Sequence, residues 1–156
     1  MGLRQEILEA PVTELDWRKL LTISATAPVR EAIALMQSKR LGCVVVVDEA
    51  GKALGKFTER DLLRLMLLNP KDLDNPVGQN MSGTWATVNQ SETVGKVIEC
   101  MDKSKLRFVI IIDDDGKAVG LTGQKGVIEY IVDHFPRQVK VHMMESKLYM
   151  DAREGG

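Results

Sequence analysis

Thr58 and Asp61 close the stretch GKFTERD (55–61), and their side chains have the chemistry to hold a sugar. A carboxylate only accepts hydrogen bonds, whereas the adjacent 2′- and 3′-hydroxyls of a ribose both donate, so one Asp can take both through strong charge-assisted bonds. In the first turn of a helix the Asp stays ionised beside the helix N-terminus. A Thr three residues earlier can bond the sugar or an α-phosphate, and the helix end itself favours anions. The same T-x-x-D spacing is a capping box, with Thr58 as the cap and Asp61 reaching back to its N–H; the two roles are compatible while the ligand is absent. The related stretch GLTGQKG (120–126) carries Gly123 and Gly126 at these positions. Gly123 can still cap, but Gly126 offers no acceptor and costs about 1 kcal/mol against Ala inside a helical turn.

The two stretches belong to a long internal repeat. Residues 11–67 align with 76–132 at an offset of 65 without a gap, and thirteen of the 57 pairs are identical, Pro11/Pro76, Val12/Val77, Gly51/Gly116 and Gly55/Gly120 among them. So long a gapless register marks a duplicated structural unit. Each unit reads as a β-branched segment (LLTI, WATV), a helix capped by Thr26 or Ser91, a strand apolar on both faces (43–47, 108–112), a turn (DEAGK, DDDGK), a second strand and a second helix. The second copy shows the helical stripe most plainly, at Val94, Val97, Ile98 and Met101. The order is β-α-β-β-α, twice: an α/β (α+β) chain. A unit of this size buries too little surface alone, which predicts that the two pack sheet to sheet as a pseudo-two-fold pair.

The expected organisation is an N-terminal helical extension (1–9), repeat 1 (10–68), a polar linker (69–75), repeat 2 (76–135) and a C-terminal tail (136–156). Alternation at Val139, Val141 and Met143 in the tail allows a short strand, against the plainer reading of an unstructured end. The chain has 156 residues, 44% of them hydrophobic, with 21 basic and 22 acidic side chains and a net charge of −1. That balance argues against nucleic acid or an anionic membrane surface as partner. No apolar run is long enough to span a bilayer, and the start lacks a signal-peptide core, so the protein is expected in the cytoplasm. Cys43 and Cys100 read as small buried hydrophobes, and with His134 and His142 they lack metal-site spacing.

The stretches TAPVREAIALM and GCVVVVDEAGKALGKFTERDLL, their second-copy counterparts and NPVGQNMS resemble the cystathionine-beta-synthase (CBS) domain, paired as a Bateman module, over residues 10–135. The G-h-h-T-x-x-D pattern is its most specific element, and GKFTERD departs from it only at Lys56. The resemblance implies a stand-alone regulatory sensor, with no catalytic residues, that takes an adenosine-containing ligand such as AMP, ADP, ATP or S-adenosylmethionine between the repeats. It also implies dimerisation of the module into a flat disc, and leaves the regulated protein, a separate chain, unknown. By matched position, the Asp61 cleft would use Thr58 and Asp61 for the ribose and the backbone of Ala86 for the adenine edge. Leu106 would line the ring's face, and Arg107 and Arg60 would meet phosphate. The reciprocal cleft would use Leu21, Leu41 and Gly42, with no equivalent Arg and no acidic anchor.

The alternative is an interaction module that dimerises and docks without a small ligand, a loss that Gly123 and Gly126 would have begun. Other motifs carry less. G-x-x-G with Lys125 matches an RNA-clamping loop but follows a strand. Asp113–Asp115 sit in a hairpin turn without the distal Glu of a calcium loop. No Ser stands near a His in sequence, so no enzymatic activity is expected.

Overall fold

The computed structural model describes residues 2–18, 20–83 and 85–135; the proposed tail, with its alternation at Val139, Val141 and Met143, lies outside the described residues. The elements run α1 (Leu3–Glu9), β1 (Thr22–Ser24), α2 (Val29–Lys39), β2 (Cys43–Val47), β3 (Ala53–Thr58), α3 (Glu59–Leu68), the one-turn α4 (Val77–Asn80), β4 (Thr87–Asn89), α5 (Val94–Ser104), β5 (Phe108–Ile112), β6 (Ala118–Gly123) and α6 (Gln124–His134). Each repeat makes one three-stranded sheet, β1-β2-β3 and β4-β5-β6. The short first strand is parallel to the second, and the second and third form a hairpin.

Alternation along the central strands decides the layers, because successive side chains leave a strand on opposite faces. Val44 and Val46 enter the core beneath the helices of repeat 1, and Val109 and Ile111 do the same in repeat 2. Cys43, Val45, Ile110 and Leu121 point the other way and meet in a third cluster between the sheets. The expected sheet-to-sheet pair is therefore the observed architecture. The turns repeat in detail: Asp48 and Asp113 each accept two loop N–H groups through Oδ1, and Gly51 and Gly116 take φ of 82° and 80°, where a side chain would be strained.

Two expectations about helix starts need correction. The N-caps of α2 and α5 are Pro28 and Thr93, and Thr93 accepts from the Lys96 N–H. Thr26 and Ser91 stand two residues earlier, holding the preceding turn through Ser24 Oγ and Asn89 Oδ1. A polar residue near a helix start serves turn or cap equally well, and sequence spacing alone does not separate them.

The repeats also exchange their leading segments. Val12 is fully buried in the core of repeat 2, and Val77 in that of repeat 1. The backbone bonds are reciprocal: Val12 N–H donates to Glu92 and Val94 N–H to Ala10, while Val77 N–H donates to Ala27 and Val29 N–H to Asn75. The Pro-Val pairs of the repeat, Pro11-Val12 and Pro76-Val77, are thus clasps laid across the partner unit. Trp17 in one segment and Met81 in the other come within 2.8 and 2.7 Å of where a Cβ would stand on Gly120 and Gly55. The glycine that opens each of the two matched stretches, Gly55 or Gly120, makes room for the other repeat.

Candidate ligand cleft between the repeats

β3 ends at Thr58, where α3 begins, and this junction forms one wall of a cleft of about 600 Å³. The capping box is complete. Asp61 N–H donates to Thr58 Oγ1 at 3.4 Å, and Asp61 Oδ2 accepts from the Thr58 N–H at 2.9 Å and from the Thr58 hydroxyl at 3.0 Å. Asp61 is only 4% exposed, yet it borders the cleft. Its second oxygen, Oδ1, has among the described residues only a long contact to Arg64 Nη2, 3.5 Å away. The box fixes the carboxylate and leaves Oδ1 with acceptor capacity for a diol.

The opposite wall comes from repeat 2. Lys105 takes the left-handed conformation at the end of α5 (φ 52°), turning the chain so that Ser104, Lys105, Leu106, Arg107 and Phe108 border the cleft. Five of the six residues singled out from the sequence, Thr58, Arg60, Asp61, Leu106 and Arg107, come together here. Ala86 is not among the residues lining this cleft, and its carbonyl accepts from the Ile110 N–H at 3.0 Å.

The lining also holds residues that sequence matching missed: Lys56, Arg64, Ser82 and Lys105. Arg64 follows Asp61 by three positions on one helix, a spacing that places them on one face. Ser82 arrives only through a backbone bridge to Lys56 made by the exchanged segment. Lys56 occupies the apolar position of the motif, where repeat 2 has Leu121. It is 4% exposed, and Nζ donates to the Phe108 carbonyl at 3.4 Å and lies 5.7 Å from that residue's ring centroid. Burial pushes its pKa down, against the opposing pull of Cys43 and Asp61. In all, five cationic side chains face two carboxylates, Glu59 and Asp61. Arg64 and Lys105 have acidic partners; Arg60 and Arg107 form no ion pair with any described residue. Such a rim suits a phosphorylated ligand.

The matched junction of β6 and α6 borders a smaller cleft of about 250 Å³, lined by Arg18, Arg107, Phe108 and residues 121–126. It lacks an acidic anchor, as expected. It does not lack arginine: the exchanged segment pairs Arg18 N–H with the Leu121 carbonyl and carries that side chain in. Leu21, Leu41 and Gly42 do not line it; Gly42 borders the Asp61 cleft instead. The aspartate-rich turns stay turns, and no cluster of His, Cys, Asp and Glu suited to a metal occurs among the described residues. Nor is any described helix long and apolar enough to cross a membrane.

Two units of β-α-β-β-α, packed through their sheets with a cleft at each strand-to-helix junction, define a paired-repeat module. The CBS-domain family model matches residues 12–68 and again 75–133, and the chain belongs to that family. An uncharacterized protein of Methanopyrus kandleri is 28% identical over 133 residues, covering 83% of this chain and 68% of that one. The crystal structure of CBSX2 in complex with AMP superposes with a TM-score of 0.67 at 22% identity, covering 80% of this chain and 97% of that one. A CBS-domain pair crystallised with 5′-methylthioadenosine and S-adenosyl-L-methionine gives 0.70 at 20% identity, covering 81% and 98%.

Proposed function

We propose that this chain is a regulatory, non-catalytic sensor that binds one phosphorylated adenosine-containing ligand, AMP, ADP or ATP, in the cleft bordered by Asp61. The observation that carries this reading is a buried carboxylate, fixed by its own capping box, whose second oxygen meets Arg64 only at 3.5 Å and keeps acceptor capacity for a ribose diol beneath a cationic rim. The AMP and 5′-methylthioadenosine complexes of the two structural neighbours support the ligand class. S-adenosylmethionine, with its sulfonium, is the poorer fit to that rim. Thr58 and Asp61 hold the ribose, Arg60 and Arg107 the phosphate, and Leu106 the face of the base. The second cleft takes no ribose. The module acts in the cytoplasm on a regulated protein, and ligand occupancy shifts the repeats against each other.

It does so as a homodimer. Leu63 and Leu67 on α3 are 65% and 85% exposed, and their repeat mates on α6, Ile128 and Val132, are 59% and 46% exposed. These apolar residues sit at matched positions of matched helices, and a second copy would cover them by the same symmetry.

Titration calorimetry with AMP, ADP, ATP and S-adenosylmethionine tests the reading. One site per chain is expected, and Asp61→Ala should weaken it by about 1.5–3 kcal/mol, roughly tenfold to a hundredfold or more. Equal affinity in Asp61→Ala refutes the site. No heat from any of the four, with a stable dimer by light scattering, favours the ligand-free interaction module.

A further inference from the structure

The second cleft has no sugar anchor, but it has the means to hold a phosphate. Arg18, Arg107 and Lys125 border it, and no carboxylate does. Lys125 pairs with Glu129 at 3.5 Å, whereas Arg18 and Arg107 form no ion pair with any described residue. The cleft reaches the first turn of α6, an 11-residue helix that no side chain caps. The leading N–H groups of a helix have no partner within it and favour an anion. Gln124 N–H donates to the Arg107 carbonyl at 3.4 Å; the next two belong to Lys125 and Gly126, which border the cleft. Thr122 is a second, independent sign. It is 3% exposed, borders the same cleft, and its hydroxyl has no hydrogen-bond partner among the described residues. Its Oγ1 lies 2.9 Å from where a Gly126 Cβ would stand, so it faces the space that repeat 1 gives to the Asp61 side chain. A buried donor without an acceptor is costly, and a phosphate oxygen would satisfy it.

We propose that the second cleft is a phosphate subsite, filled by an outer phosphate of the nucleotide in the Asp61 cleft or by a free phosphate ion. Arg107 is the link, because it borders both clefts. A nucleotide whose ribose sits at Thr58 and Asp61 brings its first phosphate to Arg107. A second or third phosphate passes that side chain and meets Arg18 and the start of α6, whereas AMP stops short. The nucleotide source rests on the reading above; the free-ion source does not.

The test is calorimetric titration, in phosphate-free buffer, of AMP, ADP, ATP and inorganic phosphate into the full chain, Arg18→Ala and Thr122→Val, with Arg18→Gln should the first variant fold poorly. If the phosphate is the nucleotide's own, ATP binds about tenfold tighter than AMP, and Arg18→Ala brings ATP down to the AMP value. If it is a free ion, inorganic phosphate binds with AMP already in place, and Arg18→Ala abolishes that event. In either case Thr122→Val, which leaves every charge in place, weakens the same event, and both variants hold AMP as the wild type does. An ATP to AMP ratio unchanged by Arg18→Ala, with no binding of inorganic phosphate, overturns the proposal and leaves the Asp61 site standing. Full phosphate binding in Thr122→Val puts the ion away from α6 and overturns it too. Phosphate binding that needs Arg18, without binding of any nucleotide, upholds the subsite and refutes the nucleotide reading; no binding of any kind refutes both.

Discussion

The same strand-to-helix junction is built twice in this chain, and the two versions differ where chemistry would happen. At Thr58 a side chain caps the helix and orients a buried carboxylate. At Gly123 nothing caps it, and a Cβ placed there would stand 2.2 Å from the Arg107 carbonyl oxygen. In both copies the first helical N–H donates to the end of the preceding loop, Glu59 to Gly42 and Gln124 to Arg107. In repeat 2, however, that loop presses over the helix start. The second cleft has therefore lost more than two side chains: its backbone has closed into the space they would occupy. At Gly126 the neighbour is a side chain instead: a Cβ there would lie 2.9 Å from Thr122 Oγ1.

The hardest blow to this comparison is to force repeat 2 into the pattern of repeat 1. Gly123→Thr must push the Arg107 carbonyl aside, and overpacking of this kind costs about 3 kcal/mol. In a chain of this size that lowers Tm by roughly 10 °C in a thermal melt. If Gly123→Thr combined with Gly126→Asp melts at the wild-type temperature and binds a second nucleotide, the clefts differ in sequence alone and the closure described here is wrong.

A smaller effect of opposite sign is expected at Thr122. Its hydroxyl is buried and has no hydrogen-bond partner among the described residues, and its mate in repeat 1 is Phe57. Thr122→Val removes an unsatisfied polar group at nearly constant shape and should stabilise the chain by about 1 kcal/mol, read from equilibrium urea denaturation. Destabilisation would mean that the hydroxyl is satisfied and that the underside of α6 is more polar than it looks.

The finest test contrasts the cysteines. Burial pushes the Cys43 thiol up to about 12, whereas Cys100 is partly exposed. At pH 8, mass spectrometry after brief iodoacetamide treatment should show Cys100 alkylated well ahead of Cys43. The raised value also has a stability consequence. The folded chain keeps a proton that the unfolded chain releases above about 9, so this contribution is whole below that pH and is lost as pH rises toward 12. Lys56, whose pKa is lowered, works in the opposite sense, so the decline is cleaner in Lys56→Leu.

Much of the fold was legible in the chain because its cues are local. Val-rich runs buried on both faces, Asp and Gly at hairpin turns and an apolar helical stripe each depend on near neighbours. The T-x-x-D pair was legible for the same reason, since capping is decided within one turn. The caps at Thr26 and Ser91 were misplaced by two residues because turn and cap draw on the same polar side chains. Ala86 lies outside the lining of the Asp61 cleft, and matched positions do not say which backbone groups a cleft reaches. Arg18 went unseen in the second cleft because it lies far from α6 in sequence.

By itself, the order of residues determined the duplication, the two sheets with a helix after each hairpin, and the asymmetry between an acidic and a glycine junction. These follow from periodicity and from which side chains carry donors and acceptors. Only the tertiary structure decided that Val12 and Val77 cross to the opposite repeat, that the Arg107 carbonyl seals one junction, and that the Lys56 ammonium lies on the floor of the other. Long-range packing chooses among locally equivalent arrangements by burying apolar surface and satisfying backbone groups, and a pattern read along the chain does not contain that choice.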